Sequence, residues 1–308
     1  MKNLLILLPS LFLSTGCTLS NSMSHVNGLP TKQSSITILE QRNLLYPPKN
    51  KIPFSEISDL TYNEKTHKLY MIGDKGYFYS FSAKFQDKIK SLNYLKAYKI
   101  DEKKRKSKYD VEGLTHDNLG RLYVSFERTP RVSSISTKGY LKKDSKLTKE
   151  LKNKKNYRSS NKIFEALAWH KKYGLLTVAE YPLRKRNIRQ QTLYSLKGKK
   201  WHFQSEKYKN SAVTAIEVMD DNHILILERA FTGVFKPLNI TLKKLYLNEC
   251  NKKRQCRTEV LTTFTGQVGM NVSNYEGLAK VGKNRYLMVS DNNNKSILST
   301  KLIYFKVN

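Results

Sequence analysis

The chain has 308 residues, of which 39% are hydrophobic and 11% aromatic, so it can bury a sizeable core as one large all-β domain or two ordinary domains. Its 56 Lys and Arg against 25 Asp and Glu give a formal charge of +31, which attracts anionic lipid, nucleic acid or phosphate-bearing partners. The basic runs are typical of solvated loops, and because no recognised nucleic-acid-binding motif accompanies them, nucleic acid is not an expected partner.

The first predicted element is an export signal over residues 1–16. Lys2 supplies its positive charge, and an apolar stretch, LLILLPSLFL, follows and is too short to span a bilayer as a stable anchor. The sequence STGC then ends at Cys17 and resembles the lipobox of bacterial lipoproteins, in which the cysteine carries lipid. Plain secretion, with Cys17 removed or idle, is the alternative.

Residues 17–35 are polar, rich in Ser and Asn and without periodicity, so they are predicted to form a flexible tether between the membrane and a folded domain over residues 36–308. The residue after Cys17 is Thr18, which under the usual sorting rule for lipoproteins points to the outer membrane. We therefore expect the protein in the cell envelope, at the outer membrane or in the periplasm, with membrane contact through an N-terminal lipid.

Two further cysteines lie close together in CNKKRQC, at Cys250 and Cys256. In an oxidising compartment this pair predicts a local disulfide that closes a small loop. A metal role for the pair is disfavoured because no second Cys or His pair lies nearby in the sequence.

A repeated pattern follows along the chain. Three stretches share an acidic residue before a small residue and Leu, and a second acid fifteen positions later: DVEGLTHDNLGRLYVSFER (110–128), FEALAWHKKYGLLTVAEY (164–181) and YEGLAKVGKNRYLMVSDNN (275–293). The paired acids are Glu112 with Glu127, Glu165 with Glu180, and Glu276 with Asp291.

Two weaker copies, at 57–76 and 213–231, keep the apolar pattern and end in Asp74 and Glu228. The five apolar anchors are Leu60, Leu114, Leu167, Ile216 and Leu278, which are 54, 53, 49 and 62 residues apart. The first and fourth copies lack the earlier acid, because Ser58 stands there in one copy and Val213 or Thr214 in the other.

Apolar residues alternate in RLYVSF and KLYMIG, which indicates strands and disfavours helical solenoids. A unit of about fifty residues with about four short strands predicts a blade of a β-propeller. The predicted fold is thus an all-β propeller of five or six blades, closed by strands from the N- and C-termini. A two-sheet sandwich is the structural alternative, but it does not explain five copies.

Equivalent positions of a propeller repeat project toward one axis, so the recurring acids are expected to meet there. Each acid could instead cap a turn within its own blade. The functional interpretation makes them hard oxygen ligands for Ca²⁺, beside basic residues that suit an anionic substrate. The predicted metal ligands are Asp74, Glu112, Glu165 and Glu276. The predicted catalytic acids are Glu127, Glu180, Glu228 and Asp291. The predicted anion-binding residues are Lys75, Arg128 and Arg229.

These motifs, in this order over roughly residues 50–306, resemble the bacterial phytase-like family with esterase-like activity. The resemblance rests on SDLTYNEKTHKLYMIGDKG, DVEGLTHDNLGRLYVSFER, NKIFEALAWH, ILILERAF and NYEGLAKVGKNRYLMVSDNN. It implies an exported β-propeller and ester hydrolysis, including that of phosphate monoesters. Because Ser58 and the residues at 213–214 depart from the acidic pattern, a complete metal ring is in doubt.

Other chemistries find less support. The chain has no G-x-S-x-G nucleophile elbow, no histidine-acid phosphatase motif and no Walker or dinucleotide glycine pattern. Two hypotheses therefore remain: a monomeric, metal-assisted hydrolase of a small anionic ester or phosphoester, and a non-catalytic envelope lipoprotein whose basic surface binds anions. A lactonase of the gluconolactonase type shares the architecture but fits the supply of His and Asn less well.

Overall fold

The computed structural model describes residues 35–101, 110–233, 236–267, 272–292 and 299–308. The predicted signal peptide, Cys17 and all of the predicted tether except its last residue lie outside these ranges. In the described part of the chain, no helix is long and apolar enough to cross a membrane.

The chain forms five antiparallel four-stranded sheets, which we number as blades one to five in chain order. The strands of blade one are β2 (Ile57–Asn63), β3 (Lys68–Gly73), β4 (Tyr77–Phe85) and β5 (Ile89–Lys99). Those of blade two are β6 (Val111–His116), β7 (Leu122–Phe126), β8 (Arg131–Ile135) and β9 (Leu141–Asp144). Those of blade three are β10 (Ala166–His170), β11 (Gly174–Val178), β12 (Gln190–Ser195) and β13 (Lys200–Gln204).

Blade four consists of β14 (Ser211–Val218), β15 (Ile224–Ala230), β16 (Leu238–Cys250) and β17 (Cys256–Gly266). Blade five consists of β18 (Asn274–Gly282), β19 (Arg285–Asp291) and β20 (Thr300–Val307), with β1 (Ile36–Leu44) paired antiparallel to β20 as its outer strand. A short helix, α1 (Lys149–Lys152), and a 3₁₀ turn at Lys154–Asn156 lie between blades two and three.

The predicted all-β propeller is confirmed, and it has five blades. The long interval between the fourth and fifth anchors holds no extra blade in its described residues. It is instead filled by the long β16–β17 hairpin. Cys250 and Cys256 form a disulfide near the tip of this hairpin, where the Arg254 carbonyl accepts a hydrogen bond of 2.8 Å from the backbone N–H of His202 in blade three.

Apolar packing between blades holds the ring together. The buried hydrophobic residues of the described chain include a cluster at every junction: blades one and two, two and three, three and four, four and five, and five and one. One face of a blade is covered only by its neighbour, so each blade depends on the next for burial. The innermost strands β2, β6, β10, β14 and β18 contact one another in sequence around the axis.

The small residue in the repeated motif allows these inner strands to approach closely. A Cβ atom added at Gly277 would lie 2.8 Å from the Cα atom of Asp59, and one added at Gly113 would lie 2.8 Å from the Cβ atom of Leu167. The glycines of the EGL motif are therefore required by contact with the next blade, not by an unusual backbone angle.

Asp59 takes the position of this small residue in blade one and ties three blades together. Its carboxylate, which is 3% exposed, accepts backbone N–H bonds from Leu60 at 2.8 Å, Leu114 at 2.7 Å and Leu278 at 3.3 Å. These donors belong to blades one, two and five, so a single side chain fixes the spacing of three inner strands.

Replacement of Asp59 by Asn should destabilise the propeller, because the amide nitrogen cannot accept an N–H bond and would face a buried backbone donor. We expect the free energy of unfolding to fall by about 1–3 kcal/mol in urea titrations. The matched control is Asp87→Asn, whose side chain is 98% exposed and pairs with Arg285, and its effect should stay within about 0.5 kcal/mol. Equal effects of the two substitutions would contradict the role given to Asp59.

Candidate active site on the propeller axis

Strand register shows which residues occupy equivalent positions in the five blades. The five anchors pair across the inner two strands with Met71, Val124, Thr177, Ile226 and Met288. The residue two before the anchor lies in the first half of the innermost strand or just before it, and the residue three after its partner lies near the end of the next strand or just beyond it. Because the two strands are antiparallel, both positions lie at the same end of the propeller.

The first equivalent position is occupied by Ser58, Glu112, Glu165, Thr214 and Glu276. The second is occupied by Asp74, Glu127, Glu180, Arg229 and Asp291. Blades one, two, three and five thus supply acids to this end of the axis. Blade four supplies a threonine and an arginine.

The expectation that Glu228 joins the axial acids is wrong. Glu228 lies one residue before the equivalent position and, since side chains alternate along a strand, it contacts a different set of groups. It forms an ion pair with the buried Lys243 amine and accepts hydrogen bonds of 2.8 Å from the Ser211 hydroxyl and the Glu206 backbone N–H. These contacts give Glu228 a structural role between blades three and four.

The most compact group of acids combines Glu127, Glu165 and Glu180. One carboxylate oxygen from each lies within 4.8 Å of the other two, and Glu165 and Glu180 are buried. The Lys162 amine bonds both oxygens of Glu180, at 2.8 and 2.6 Å. Glu165 Oε2 is buried and has no hydrogen-bond partner among the described residues, although such an oxygen normally accepts a bond.

A second group shares Glu127 and adds Asp110 and Glu112, again with oxygens within 4.8 Å of one another. Asp110 pairs with the Arg128 guanidinium, which is 61% exposed. Burial raises the pKa of Glu112 well above its ordinary value, and the charges of Asp74 and Glu165 raise it further. The predicted metal set and the predicted catalytic set are therefore interleaved, because both groups contain members of each.

Arg229 lies among the acids. Its Nη1 atom donates to Glu276 Oε1 at 2.5 Å and to Asn274 Oδ1 at 2.7 Å, and its Nη2 atom lies 3.7 Å from Glu180 Oε1. The guanidinium thus bridges acids of blades three and five from its own place in blade four. Protein carboxylates already satisfy much of its donor capacity.

The remaining predicted residues lie around this group. Asp74 accepts a hydrogen bond from the Ser58 hydroxyl. Lys75, half exposed, pairs with Glu56 at 2.6 Å and so lies at the rim. Asp291 is buried, and its charge raises the pKa of Glu276.

Crowding of carboxyl groups alters their acidity. Burial raises the pKa of Glu127 from 4.5 to about 8, with further increases from Asp110 and Glu180 that Lys162 partly offsets. Burial also raises the pKa of Glu276 to about 8, although Arg229 opposes the rise. Groups with such pKa values can hold or release a proton near neutral pH.

The donor set fits a hard cation better than a soft one. The two groups offer only carboxylate oxygens, which suit Ca²⁺ or a similar divalent ion. The unpartnered Glu165 oxygen beside two other carboxylates is the feature that a bound cation would satisfy. A proton shared between Glu165 and a neighbouring carboxyl group is the simpler alternative, because it would also give the Glu165 oxygen a hydrogen-bond partner.

Sequence reasoning missed Asp110, Lys162 and the axial register of Arg229, which it had placed only among the anion-binding residues. Asp110 and Arg229 had a signal in the sequence. Asp110 lies two residues before Glu112, the spacing that puts side chains on one face of an extended chain. Arg229 lies thirteen residues after its anchor, as Glu127, Glu180 and Asp291 do after theirs, whereas Glu228 lies twelve after it. Lys162 belongs to the loop between blades two and three and follows no period.

Comparison with known proteins settles the family. The model of the phytase-like family, described as esterase-like activity of phytase, matches residues 52–294. The chain belongs to this family.

No curated protein matches this phytase-like chain. Among solved structures, luciferin-regenerating enzyme is 10% identical, with coverage of 82% of this chain and 92% of its own and a TM-score of 0.43. Virginiamycin B lyase from Staphylococcus aureus is 9% identical, with 93% and 99% coverage and a TM-score of 0.42. A protein of unknown function from Bacteroides thetaiotaomicron is 10% identical, with 83% and 60% coverage and a TM-score of 0.47.

The pKa of Glu127 predicts a pH-dependent effect of Glu127→Gln on stability. The folded chain holds the Glu127 proton up to about pH 8, whereas the unfolded chain holds it only to about pH 4.5. The contribution of this carboxyl group to the free energy of unfolding is therefore full below pH 4.5 and is lost as the pH rises to about 8. In chelator, the free energy of unfolding of Glu127→Gln relative to wild type should therefore increase from about pH 5 to 8 and level off above it.

The difference between variant and wild type is the diagnostic quantity, because several histidines with lowered pKa values, such as His116 and His170, change the stability of both proteins over part of this range. Glu249→Gln, at an exposed acid paired with Arg257, serves as the matched control and should show no such rise. A difference that falls with pH would contradict the assigned pKa.

Proposed function

We propose that this phytase-like propeller is an exported, lipid-anchored hydrolase of anionic esters, with phosphate monoesters as the favoured substrates, and that Glu127, Glu165 and Glu180 hold a divalent cation. The observation that carries the proposal is the buried, unpartnered Oε2 atom of Glu165 beside two further carboxylates. Ca²⁺ is the first candidate, because these ligands are all carboxylate oxygens. Such an ion, when bound, polarises a phosphoryl or carbonyl oxygen and lowers the pKa of water.

Basic groups beside the acids would bind the negative part of the substrate. Lys162 is 34% exposed and lies on Glu180, and Arg128 is 61% exposed and lies on Asp110. Lys75, on Glu56, adds a third cation at the rim. Arg229 is directed to Glu276 and Glu180, so its role is to position these acids rather than to bind substrate.

Glu112 would hold a proton for the leaving group. Burial raises the pKa of Glu112 well above its ordinary value, and a carboxyl group that holds its proton can donate it to an alkoxide as the ester bond breaks. Its neighbour Asp110 is paired with the Arg128 guanidinium.

The proposed location is the cell envelope, with Cys17 as the lipidated residue. The support comes from the sequence, in which STGC follows a basic residue and an apolar stretch. A disulfide at Cys250–Cys256 agrees with an oxidising compartment. The surplus of lysine and arginine suits a substrate that carries negative charge.

Hydrolysis assays on the detergent-purified full chain test this function. With Ca²⁺, we expect release of phosphate from p-nitrophenyl phosphate, and loss of that activity with chelator. Glu165→Gln should lower kcat/KM on the order of 100-fold or more, because several kcal/mol of transition-state stabilisation depend on the cation site.

Glu249→Gln is the matched control and should leave the rate unchanged. Thermal melting in chelator must show that Glu165→Gln is folded. Equal, negligible rates toward p-nitrophenyl phosphate and p-nitrophenyl acetate, with and without Ca²⁺, would remove the enzymatic function.

A specific observation favours a second function, a non-catalytic module that binds anionic partners. Lys162 and Arg229 already neutralise Glu180 and Glu276, so part of the acid group is satisfied within the protein. Salt-sensitive binding to anionic liposomes, unchanged by Glu127→Gln and accompanied by no hydrolysis in any condition, would support this alternative and exclude the first.

A further inference from the structure

A cavity of about 480 Å³ lies at the opposite end of the propeller from the axial acids. Its lining comes from all five blades, at the turns that follow the innermost strands or at the ends of those strands. Thr61, His116, Trp169, Glu217 and Lys280 represent blades one to five in that order.

The acids that line this cavity are bonded within the protein, apart from Glu64 at the exposed rim. Asp117 accepts from the Arg121 guanidinium at 2.6 Å and from the backbone N–H groups of Leu119 and Arg121. Glu217 accepts from the backbone N–H groups of Val218 and Lys280, at 2.7 and 3.0 Å.

Asp220, the remaining acid, forms an ion pair with the Lys280 amine and accepts from the Asn284 backbone N–H at 2.7 Å. Lys171, at the rim, has no ion pair among the described residues. The carboxylates that line the cavity are therefore largely occupied by hydrogen bonds and ion pairs, whereas the Lys171 amine has no ion pair among the described residues.

Two ring N–H donors beside this cavity lack an acceptor among the described residues. The Thr61 hydroxyl lies 2.8 Å from His116 Nδ1. Burial lowers the pKa of His116 below its ordinary value, which favours the neutral ring. The hydroxyl has no other acceptor among the described residues, so it donates to Nδ1, and the ring proton resides on Nε2. No described residue accepts from that Nε2–H group.

The second donor is the indole of Trp169. Its Nε1 atom is buried and has no hydrogen-bond partner among the described residues. The ring stacks with Tyr123, at 7° between planes and 6.4 Å between centroids, which fixes its position. Buried N–H groups are normally satisfied, so an unpaired one beside a cavity points to a group that is not part of the protein chain.

We propose that this cavity binds a small oxyanion, through the N–H groups of Trp169 and His116 and the amine of Lys171. Carboxylate and phosphate oxygens are acceptors without donors, and they complement two N–H groups and an ammonium group. This site is separate from the axial acids and does not depend on the proposed hydrolysis.

The chain contains two tryptophans, Trp169 and Trp201, so ¹⁵N-tryptophan labelling of the full chain gives two indole cross-peaks. Trp169→Phe keeps an aromatic ring beside Tyr123 and assigns the peaks by loss of one. Titration with inorganic phosphate and, separately, with citrate should move the Trp169 indole proton downfield in a saturable manner. The Trp201 peak should stay in place, because that indole is buried elsewhere in blade three.

Calorimetry gives the affinity in the variants. Trp169→Phe and His116→Phe should each weaken binding roughly 10- to 100-fold, since each removes a hydrogen bond to a charged group. Thermal melting checks that both are folded, and Glu249→Gln, at an exposed acid of blade four that pairs with Arg257, should bind as wild type does. Saturation by phosphate alone or by citrate alone supports the proposal and identifies the class of oxyanion.

Three results would overturn the proposal. One is the absence of a saturable shift with either probe. Another is an equal shift with sodium chloride at matched ionic strength. The last is a shift of both indole peaks together, which would indicate a general effect of salt on the protein.

Discussion

Mutual repulsion among carboxylates at the propeller axis is the constraint on which the rest of the site depends. Four of the five blades direct acids to one end of the axis, where burial weakens hydration and strengthens every charge interaction. The chain meets this repulsion in three ways. Arg229 and Lys162 form ion pairs with Glu276 and Glu180, and Glu112 and Glu127 have raised pKa values and can retain protons. The proposed cation would bind beside Glu165 as the third.

Blade four gives the axis its asymmetry. A fold built from similar blades would repeat the same acid around the ring, but Thr214 and Arg229 replace acids at both equivalent positions of this blade. The arginine reaches acids on either side, and the nearby Glu228 is used to neutralise the buried Lys243. Asp59 is a comparable exception in blade one, where a carboxylate replaces a small residue and joins three inner strands.

The sequence predicted the architecture because the apolar anchors and their strands recur at nearly constant spacing, and alternation along a strand is a local property. The site was harder to predict because it depends on single residues of register. The sequence prediction took Glu228, twelve residues after Ile216, as the axial residue of blade four, whereas the axial position lies thirteen residues after Ile216, at Arg229. A shift of one residue along a strand places the side chain on the opposite face. Lys162 comes from a connection between blades, where no repeat governs position, and its partner Glu180 is eighteen residues away.

Anomalous X-ray scattering from crystals soaked in Mn²⁺ or Ca²⁺ tests the central claim most directly, because it locates a cation independently of any assay. The account predicts a peak on the axis within about 2.0–2.6 Å of oxygens from Glu127, Glu165 and Glu180. Crystals with no axial peak, in which Glu165 Oε2 instead shares a proton with a neighbouring carboxyl group, would contradict it.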